Sequence, residues 1–453
     1  MEIFIPNNVK NIIDKFYKNN FRAFMVGGCV RDSLLKTNPK DYDITTSALP
    51  DETINLFEKT IPTGLQHGTV TVLINKEPYE VTTFRTDGDY KDNRRPDSVS
   101  FVSDITEDLS RRDFTINALA YNQHEGLIDC FNGLKDIKSK IIKCVGNPDK
   151  RFNEDALRML RAIRFSCQLD FLIEPETYES IKRNYKLVEN ISAERIRDEL
   201  CKILTSKTPT KGLEMLRDTR ILEIILPDIN NLVEYTPNCN NHNRDVFKHT
   251  LKVIDNTHDN LILRLSALFH DVGKINTMAF LENGHCYFPK HSIESAIMTK
   301  SILTKLAFDN NTINSVCSII TEHLVLNISH MPTDGEIKRL INKVGSKNMS
   351  ILYDLQRADI NSLWNPIPFL KKVDFMAQRT KYILDNNEPL TIKDLNITGT
   401  ILMSELNLKP GKIIGELLNF LLEKVLDDSS LNIQNTLLQL AKDYLNLSDS
   451  HHY

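Results

Sequence analysis

The spacing of apolar residues changes once along the chain, near residue 145, and this change limits the folds available to it. Before it, short apolar or alternating runs such as RAFMV, TVTVLI, YEVTTF and GLIDCF lie between helical stretches. Runs of this kind are typical of β-strands. From NPDKRFNEDALRMLRAIRF onward the spacing is almost wholly helical. The sequence therefore predicts an α+β protein, with a small mixed sheet confined to its first part and an all-α remainder.

The chain is too long for one hydrophobic core, since 453 residues usually form two to four domains. The Asn- and Pro-rich segment LPDINNLVEYTPNCNNHN has little periodicity, which is typical of a connector. We predict four regions: a mixed α/β head over 1–145, a helical neck and body over 146–235, a second helical block over 236–375 and a helical tail over 376–453.

The charge balance gives no general attraction to polyanions, because the net charge is only -4. A local basic excess does occur between Lys135 and Phe165, with nine Lys or Arg against four acids. This surface could bind RNA phosphates, or it could be an ordinary solvated face. The N-terminal stretch lacks the features of a secretory signal, and no run has membrane-spanning length. We expect a cytoplasmic protein with no membrane partner.

The stretch FMVGGCVRDSLLKTNPKDYDITTSA combines groups suited to a metal-bound triphosphate. Gly27 and Gly28 follow an apolar run and precede a helical one, so the backbone could approach a phosphate there. Arg31 would add a planar pair of donors for the same anion. Asp41 and Asp43 alternate along a strand-like segment, where two carboxylates on one face could bind Mg²⁺.

A third carboxylate would strengthen this interpretation. Glu80, in PYEVTTFR, lies on a later strand-like run from which it could face the pair. Taken singly, a GG or a DxD is more often a turn or a solvated edge, and an exposed strand glutamate is common. The close order of these groups favours the catalytic interpretation.

The motifs together resemble the class II tRNA nucleotidyltransferases, which comprise CCA-adding enzymes and bacterial poly(A) polymerases of the polymerase β superfamily. The resemblance rests on five ordered segments: GGCVRDSLL with DYDI, RRPDSVSF, DLSRRDFTINALAY, EDALRMLRAIRF and ISAERIRDEL. It implies a five-stranded polymerase-β-like nucleotidyltransferase head, then a helical neck and body. It also implies Mg²⁺ as cofactor, with tRNA, CTP and ATP as partners.

Particular residues take expected roles from this resemblance. Arg112 matches a nucleotide-contacting position, and Asp113 is similar to the residue that binds the ribose hydroxyl. Arg161 and Arg164 match positions that bind the incoming nucleotide. The uninterrupted segment DGDYKDNRRPDSVSF resembles the loop of enzymes that complete CCA, so full CCA addition is the expected product.

Asp155 and Arg158 supply a physical reason for selecting C and A. Both bases present an amine donor beside a ring-nitrogen acceptor, whereas U and G reverse that order. A carboxylate and a guanidinium three residues apart on one helix flank match this pattern. Each contact could contribute about 1–3 kcal/mol of discrimination. The alternative is an ordinary amphipathic helix with a charged face.

A second set of polar residues follows the order of the HD phosphohydrolase superfamily. Imidazoles and carboxylates together suit Mn²⁺, Ni²⁺, Fe²⁺ or Zn²⁺, and the resemblance implies metal-dependent hydrolysis of a phosphate ester. Lys274 would hold the phosphate. The expected metal ligands are His249, His270, Asp271, His291, His323 and Asp359.

Other functions stay open at this point. A poly(A) polymerase shares the same motifs, and an alarmone synthetase/hydrolase also joins a nucleotidyltransferase to an HD domain, although in the opposite order. A catalytically silent RNA-binding protein is disfavoured by the intact carboxylates. A homodimer is also left open.

Overall fold

The computed structural model describes residues 3–88, 98–233, 235, 245–283, 285–324, 330–362 and 367–449. The chain divides into two compact units, Met1–Asn230 and Asn231–Tyr453. This division falls inside the predicted connector. The finer boundaries near residues 145 and 375 stay predictions, and residues 89–97 of the predicted CCA loop lie outside the described residues.

Seven of the strands in the first unit form one mixed sheet, and the others pair two by two. In chain order, the strands of this unit are β1 (Ala23–Val26), β2 (Ile44–Thr46), β3 (Thr60–Gly64), β4 (Thr69–Ile74), β5 (Glu77–Thr83), β6 (Arg85–Asp87), β7 (Val99–Phe101), β8 (Ala120–Asn122), β9 (Gly126–Ile128), β10 (Ile141–Ile142) and β11 (Leu172–Ile173). The sheet order is β3-β4-β5-β2-β1-β8-β9. Strands β2 and β5 are parallel, whereas the other neighbours in this sheet are antiparallel.

The predicted α+β class is confirmed, and the four strand-like runs correspond to β1, β4, β5 and β9. All four residues of β1 are buried, as a strand in the middle of a sheet requires. The expected number of five strands is wrong. Segments as short as AYN in β8, or as exposed as TIPTG in β3, carry little pattern of their own and become strands by pairing with a neighbour.

Helices cover the sheet and form the rest of the first unit. In the first of them Val9, Ile12, Ile13 and Phe16 are buried at helical spacing. The helices are α1 (Asn7–Lys18), α2 (Gly28–Leu34), α3 (Pro50–Leu56), α4 (Ile105–Ser110), α5 (Gly133–Ser139), α6 (Pro148–Glu154), α7 (Leu157–Leu169), α8 (Pro175–Asn184), α9 (Ala193–Leu204), α10 (Pro209–Asp218), α11 (Ile221–Ile225) and α12 (Pro227–Asn230).

The second unit is helical except for one small hairpin, β12 (Ala279–Phe280) with β13 (Cys286–Tyr287), within its described residues. Its helices are α13 (Val246–Asp255), α14 (Leu261–Phe269), α15 (Lys274–Thr277), α16 (His291–Lys305), α17 (Asn310–Thr321), α18 (Asp334–Val344), α19 (Met349–Asn361), α20 (Ile367–Asp385), α21 (Gly399–Glu405), α22 (Lys412–Asp427) and α23 (Gln434–Asp449).

The last helices have an apolar cluster of their own. Leu417, Leu421 and Val425 form a buried stripe along α22 and pack with Leu437 and Ala441 of α23. Among the helices in the described ranges, none combines the length and apolar character needed to cross a membrane.

Candidate active site

A glycine turn joins β1 to α2. Gly27 has φ +79°, a left-handed conformation that L side chains rarely adopt, and α2 begins at Gly28. A Cβ atom on Gly27 would lie 3.1 Å from Nη1 of Arg112. The predicted strand, turn and helix are therefore present, and glycine lets the arginine lie against the turn.

Three carboxylates line one cavity beside this turn. Asp41 and Asp43 lie just before β2 rather than within it, and Val26 N donates to the Asp43 carbonyl over 3.0 Å. Glu80 reaches the same place because β5 runs parallel to β2, with Val81 opposite Ile44. We call this the acidic cavity; its volume is about 710 Å³ and its lining is Pro6, Lys40, Asp41, Tyr42, Asp43, Thr71, Glu77, Pro78, Tyr79 and Glu80.

The electrostatic state of Asp43 follows from this crowding. Its pKa is raised above the ordinary value, first by partial removal of water and further by the charges of Glu80 and Asp41, while Arg112 opposes the shift. Repulsion among hard oxygen ligands is relieved by a divalent cation, so this donor set fits Mg²⁺.

A second cavity of about 540 Å³ meets the first at Lys40, Asp41 and Asp43. We call it the basic cavity. Besides those three residues its lining is Gly27, Gly28, Cys29, Arg31, Asp32, Asn38, Arg112, Asp113, Asn117, Arg161, Arg164, Phe165, Gln168 and Lys202. It thus brings the predicted turn, the DxD and four of the predicted arginines to one place.

Ion pairs and amide contacts order the walls of the basic cavity. Asp113 accepts from Nε and Nη2 of Arg161 over 2.8 and 2.6 Å. Burial acts to raise the pKa of Asp113, but the Arg161 charge and hydrogen bonds outweigh it and hold that pKa well below its usual range. Arg31 donates to Asn117 Oδ1 over 2.6 Å, and Asn117 donates to Asp113 Oδ1 over 3.1 Å.

Asp155 and Arg158 depart from the predicted arrangement. Asp155 lies in the break between α6 and α7, with extended φ and ψ of -139° and 104°, so the two residues do not share one helix flank. Arg195 donates to both Asp155 oxygens, over 3.2 and 2.9 Å. Arg158 donates to Glu154 over 2.8 Å and to the Arg111 carbonyl over 2.9 Å. Neither is among the residues that line the basic cavity.

Asp155 and Arg158 differ from the prediction because charged protein side chains lie within hydrogen-bonding distance of both. Glu154, at the end of α6, lies four residues before Arg158 and pairs with it across the break between the two helices, and folding brings Arg195 of α9 to Asp155. Opposite charges within about 4 Å attract strongly in partly buried surroundings. The sequence pattern predicted the nucleotide base as partner for both residues, whereas in the structure both pair with protein side chains.

Several contacting residues escaped the sequence analysis. Asp108 pairs with Arg111 and Arg112 at i,i+3 and i,i+4, a spacing that could have predicted the pair. The guanidinium of Arg164 lies over the ring of Phe165, with Cζ of Arg164 3.9 Å from the centre of that ring. Glu199, which accepts from Arg164 Nε over 2.5 Å, is too distant in sequence for any local pattern to suggest it.

The second unit brings the predicted histidines and aspartates together. His249 lies on α13, the His270–Asp271 pair follows α14, His291 begins α16, His323 follows α17 and Asp359 lies on α19. Two groups have ligand atoms within 4.8 Å of one another: His249, His270 and Asp359, and Asp271, His291 and His323.

Asp271 links the two groups. Its Oδ2 lies 3.2 Å from Nε2 of His270 and 3.4 Å from Nε2 of His249, and its Oδ1 lies 3.5 Å from Nε2 of His291. Lys274 Nζ contacts Asp271 Oδ2 at 2.5 Å. Burial acts to raise the pKa of Asp271, but the charge of Lys274 and the contacts with the His270 and His249 rings hold it far below its usual range.

Hydrogen bonds at the other ring nitrogen orient three of these imidazoles. Nδ1 lies 2.8 Å from the Ala267 carbonyl in His270, 2.9 Å from the Phe288 carbonyl in His291 and 2.7 Å from the Ile320 carbonyl in His323. A carbonyl only accepts, so Nδ1 carries the proton and Nε2 is left as a ligand atom. Burial lowers the pKa of His323 to about 4, which keeps this ligand neutral. The donor set fits a divalent transition metal.

Four family models together match most of the chain. The Poly A polymerase head domain matches residues 23–143, and the RNA and SrmB-binding site of polymerase A matches 170–232. The HD domain matches 240–345, and tRNA nucleotidyltransferase domain 2 matches 293–441, so these two overlap.

Two CCA-adding enzymes align with this chain over almost their whole length. The CCA-adding enzyme of Ligilactobacillus salivarius is 35% identical over 97% of this chain and 98% of its own length. The CCA-adding enzyme of Pediococcus pentosaceus is 34% identical over 96% of this chain and 98% of its own length. The crystal structure of the Bacillus stearothermophilus CCA-adding enzyme in complex with CTP matches with a TM-score of 0.74 at 27% identity, covering 97% of this chain and 98% of that one. The chain therefore belongs to the family of CCA-adding enzymes and is a nucleotidyltransferase.

Proposed function

We propose that the protein adds C, C and A to the 3′ end of tRNA from CTP and ATP without a nucleic-acid template. The observation that carries this proposal is the basic cavity, in which arginines and a glycine turn adjoin Asp41 and Asp43. A triphosphate needs such a cationic wall next to metal-binding carboxylates. The relative from Bacillus stearothermophilus, solved in complex with CTP, supports the nucleotide class.

In the proposed reaction the RNA 3′ oxygen forms a bond to the α-phosphorus. The bond from that phosphorus to the bridging oxygen of the β-phosphate breaks, pyrophosphate leaves and the hydroxyl proton goes to water. Asp41, Asp43 and Glu80 would hold two Mg²⁺ ions, which when bound supply charge neutralisation at the reacting phosphate. Arg31 and Arg112, next to the glycine turn, would bind the triphosphate.

The wall formed by Asp113, Arg161 and Arg164 would bind the sugar and the remainder of the nucleotide. A carboxylate offers about four lone-pair sites, and Asp113 already accepts four hydrogen bonds, from Phe114 N and Asn117 at Oδ1 and twice from Arg161 at Oδ2, so a ribose hydroxyl would replace one of these donors. Arg164 is buried against Glu199, which leaves its planar face on Phe165 as a rigid part of the wall. These groups would orient the sugar relative to the carboxylates.

Selection of C and A would require Asp155 and Arg158 to exchange partners. Asp155 would leave Arg195, and Arg158 would leave Glu154, when a base offers a donor beside an acceptor. Each exchange would replace an ion pair with a hydrogen bond to a neutral base and would separate Arg195 or Glu154 from its present partner, so the binding energy of the base must offset this cost.

Arg158→Ala should relax selection against UTP and GTP by about 10-fold or more, with a smaller effect on triphosphate binding. The reason is that the guanidinium is the donor for the base, whereas the phosphates have other arginines. Single-nucleotide incorporation with each NTP measures the ratio. Unchanged selectivity would remove Arg158 from this role.

Incubation of the full-length protein with tRNA lacking its 3′ end, Mg²⁺ and each labelled NTP tests the main proposal. We expect addition of two C and one A, followed by termination. No incorporation of CMP or AMP would contradict the proposal. An open-ended A tail would instead assign the protein to the poly(A) polymerases that share these motifs.

We further propose a metal-dependent phosphohydrolase activity for the second unit. Six candidate ligands with three imidazole Nε2 atoms directed inward support a transition-metal site of one or two ions. Such ions activate water and polarise phosphoryl oxygens. Lys274, beside Asp271, would bind a substrate phosphate, and terminal or cyclic phosphates on RNA are the expected substrates.

A further inference from the structure

One of the four imidazoles among the candidate metal ligands is oriented differently from the others. Nδ1 of His270, His291 and His323 lies against a backbone carbonyl three residues earlier in the chain. Each of these rings stands at the start of a helix or just past the end of one. His249 lies inside α13, where the backbone carbonyls are bonded within the helix. Its ring takes its orienting contact from a side chain instead.

Ser362, at the C-terminal end of α19, provides that contact. Its Oγ lies 3.1 Å from Nδ1 of His249 and donates to the Asp359 carbonyl over 2.6 Å. A hydroxyl has one proton, and a carbonyl can only accept. The proton of Ser362 is therefore committed to Asp359, and Nδ1 of His249 must donate. This leaves Nε2 of His249 as the ligand atom, as in the other three imidazoles.

The same hydroxyl connects two residues of one ligand group. His249 and Asp359 belong, with His270, to the first of the two groups. Nε2 of His249 lies 3.2 Å from Oδ1 of Asp359, so their ligand atoms converge on one side. On the other side Ser362 bridges the second ring nitrogen of His249 and the backbone of Asp359. Helices α13 and α19 are thus joined at the site by a residue outside the ligand set.

His249 is the most exposed of the four rings, and this makes the contact important. Its side chain is 14% exposed, whereas those of His270 and Asp271 are almost fully buried. Close packing fixes a buried ring, but an imidazole on the open side of a site has a broad range of χ2 angles. A hydrogen bond at the ring nitrogen that does not bind metal restricts this rotation and raises metal affinity.

We infer that Ser362 is a positioning residue of the metal site, which holds the His249 ring so that Nε2 faces the ligand atoms of His270 and Asp359. This inference rests on the proposed phosphohydrolase function of the second unit, because it concerns the same ligands. Ser362 acts through His249 and Asp359 and is not itself a ligand. The metal site therefore depends on a hydroxyl that the ordered set of histidines and aspartates does not include.

The test measures Ni²⁺ binding to the metal-free, full-length protein by calorimetry, with excess Mg²⁺ present to occupy the carboxylates of the first unit. Ser362→Ala should raise the Kd for Ni²⁺ about 10-fold or more, because the His249 ring loses its orienting partner. Ser362→Thr should keep the normal Kd, since threonine retains the hydroxyl. Ser404→Ala is the matched control, because the exposed Ser404 makes the same bond, over 3.0 Å, to a carbonyl three residues earlier, that of Ile401, outside the site.

A double-mutant cycle tests whether Ser362 acts through the ring. His249→Ala retains five of the six candidate ligands, and in this background Ser362→Ala should weaken Ni²⁺ binding no further. CCA addition should continue at the normal rate in every variant. A full additional loss in the double variant, or an equal loss in Ser362→Thr or Ser404→Ala, would overturn the inference. If the unsubstituted protein does not bind Ni²⁺, the proposed metal site itself fails. If it does, and Ser362→Ala binds Ni²⁺ as tightly, only this inference fails.

Discussion

Asp43→Asn should reduce CMP and AMP addition by about 10³-fold or more, the largest effect that we expect from a single substitution in the first unit. Asp43 lines both cavities, and its pKa is raised by loss of water and by the neighbouring carboxylates. The amide keeps the size of the side chain but removes the charge that binds a hard cation. Steady-state incorporation with saturating tRNA and CTP measures the loss.

The same variant should bind tRNA and melt at the same temperature as the unsubstituted protein. Glu58→Gln is the matched control, because Glu58 is an exposed carboxylate of the same unit that lines neither cavity. A loss of activity below about 10-fold in Asp43→Asn would contradict the proposed metal role. Equal losses in Glu58→Gln would indicate a general effect of charge.

Asp271→Asn should abolish phosphate release in the second unit, with a loss of at least about 100-fold, while CCA addition continues at the normal rate. Asp271 is buried and contacts His249, His270 and Lys274, so the substitution removes a ligand and the charge that Lys274 pairs with. Release of phosphate from RNA with a 3′-phosphate or a 2′,3′-cyclic phosphate measures the activity.

Metal content provides a readout independent of that activity. Purified Asp271→Asn should retain less Mn²⁺, Ni²⁺, Fe²⁺ or Zn²⁺ than the unsubstituted protein. His258→Ala, at an exposed histidine outside both ligand groups, should retain the full amount. Normal metal content in Asp271→Asn together with undiminished phosphate release would remove Asp271 from the proposed site.

At the carboxylate site, the local sequence pattern predicted the individual elements but not how the strands pair. The apolar run ending at Val26 and the glycines after it predicted strand, turn and helix, because these preferences act over a few residues. Glu80 lines the same cavity, and only the parallel pairing of β2 with β5 brings it beside Asp43. The five-stranded expectation was wrong because the short strands depend on pairing with neighbours.

In the histidine cluster, the sequence predicted the metal ligands but not the backbone groups that orient them. The order of His, His-Asp, His, His and Asp predicted a metal site through resemblance, and the structure brings these ligands together from five helices and their ends. The carbonyls that orient three of the rings belong to backbone close in sequence, at Ala267, Phe288 and Ile320. No residue type marks those carbonyls, so sequence alone could not identify them.

The sequence by itself determined the residue types of both sites and the change from mixed to helical structure, because periodicity and turn chemistry are local properties. Tertiary structure alone decided which charges meet: Arg195 with Asp155, Glu199 with Arg164, and the two cavities on either side of Asp43. The physical reason is that electrostatic attraction depends on distance in space. Folding sets that distance between elements far apart in the chain.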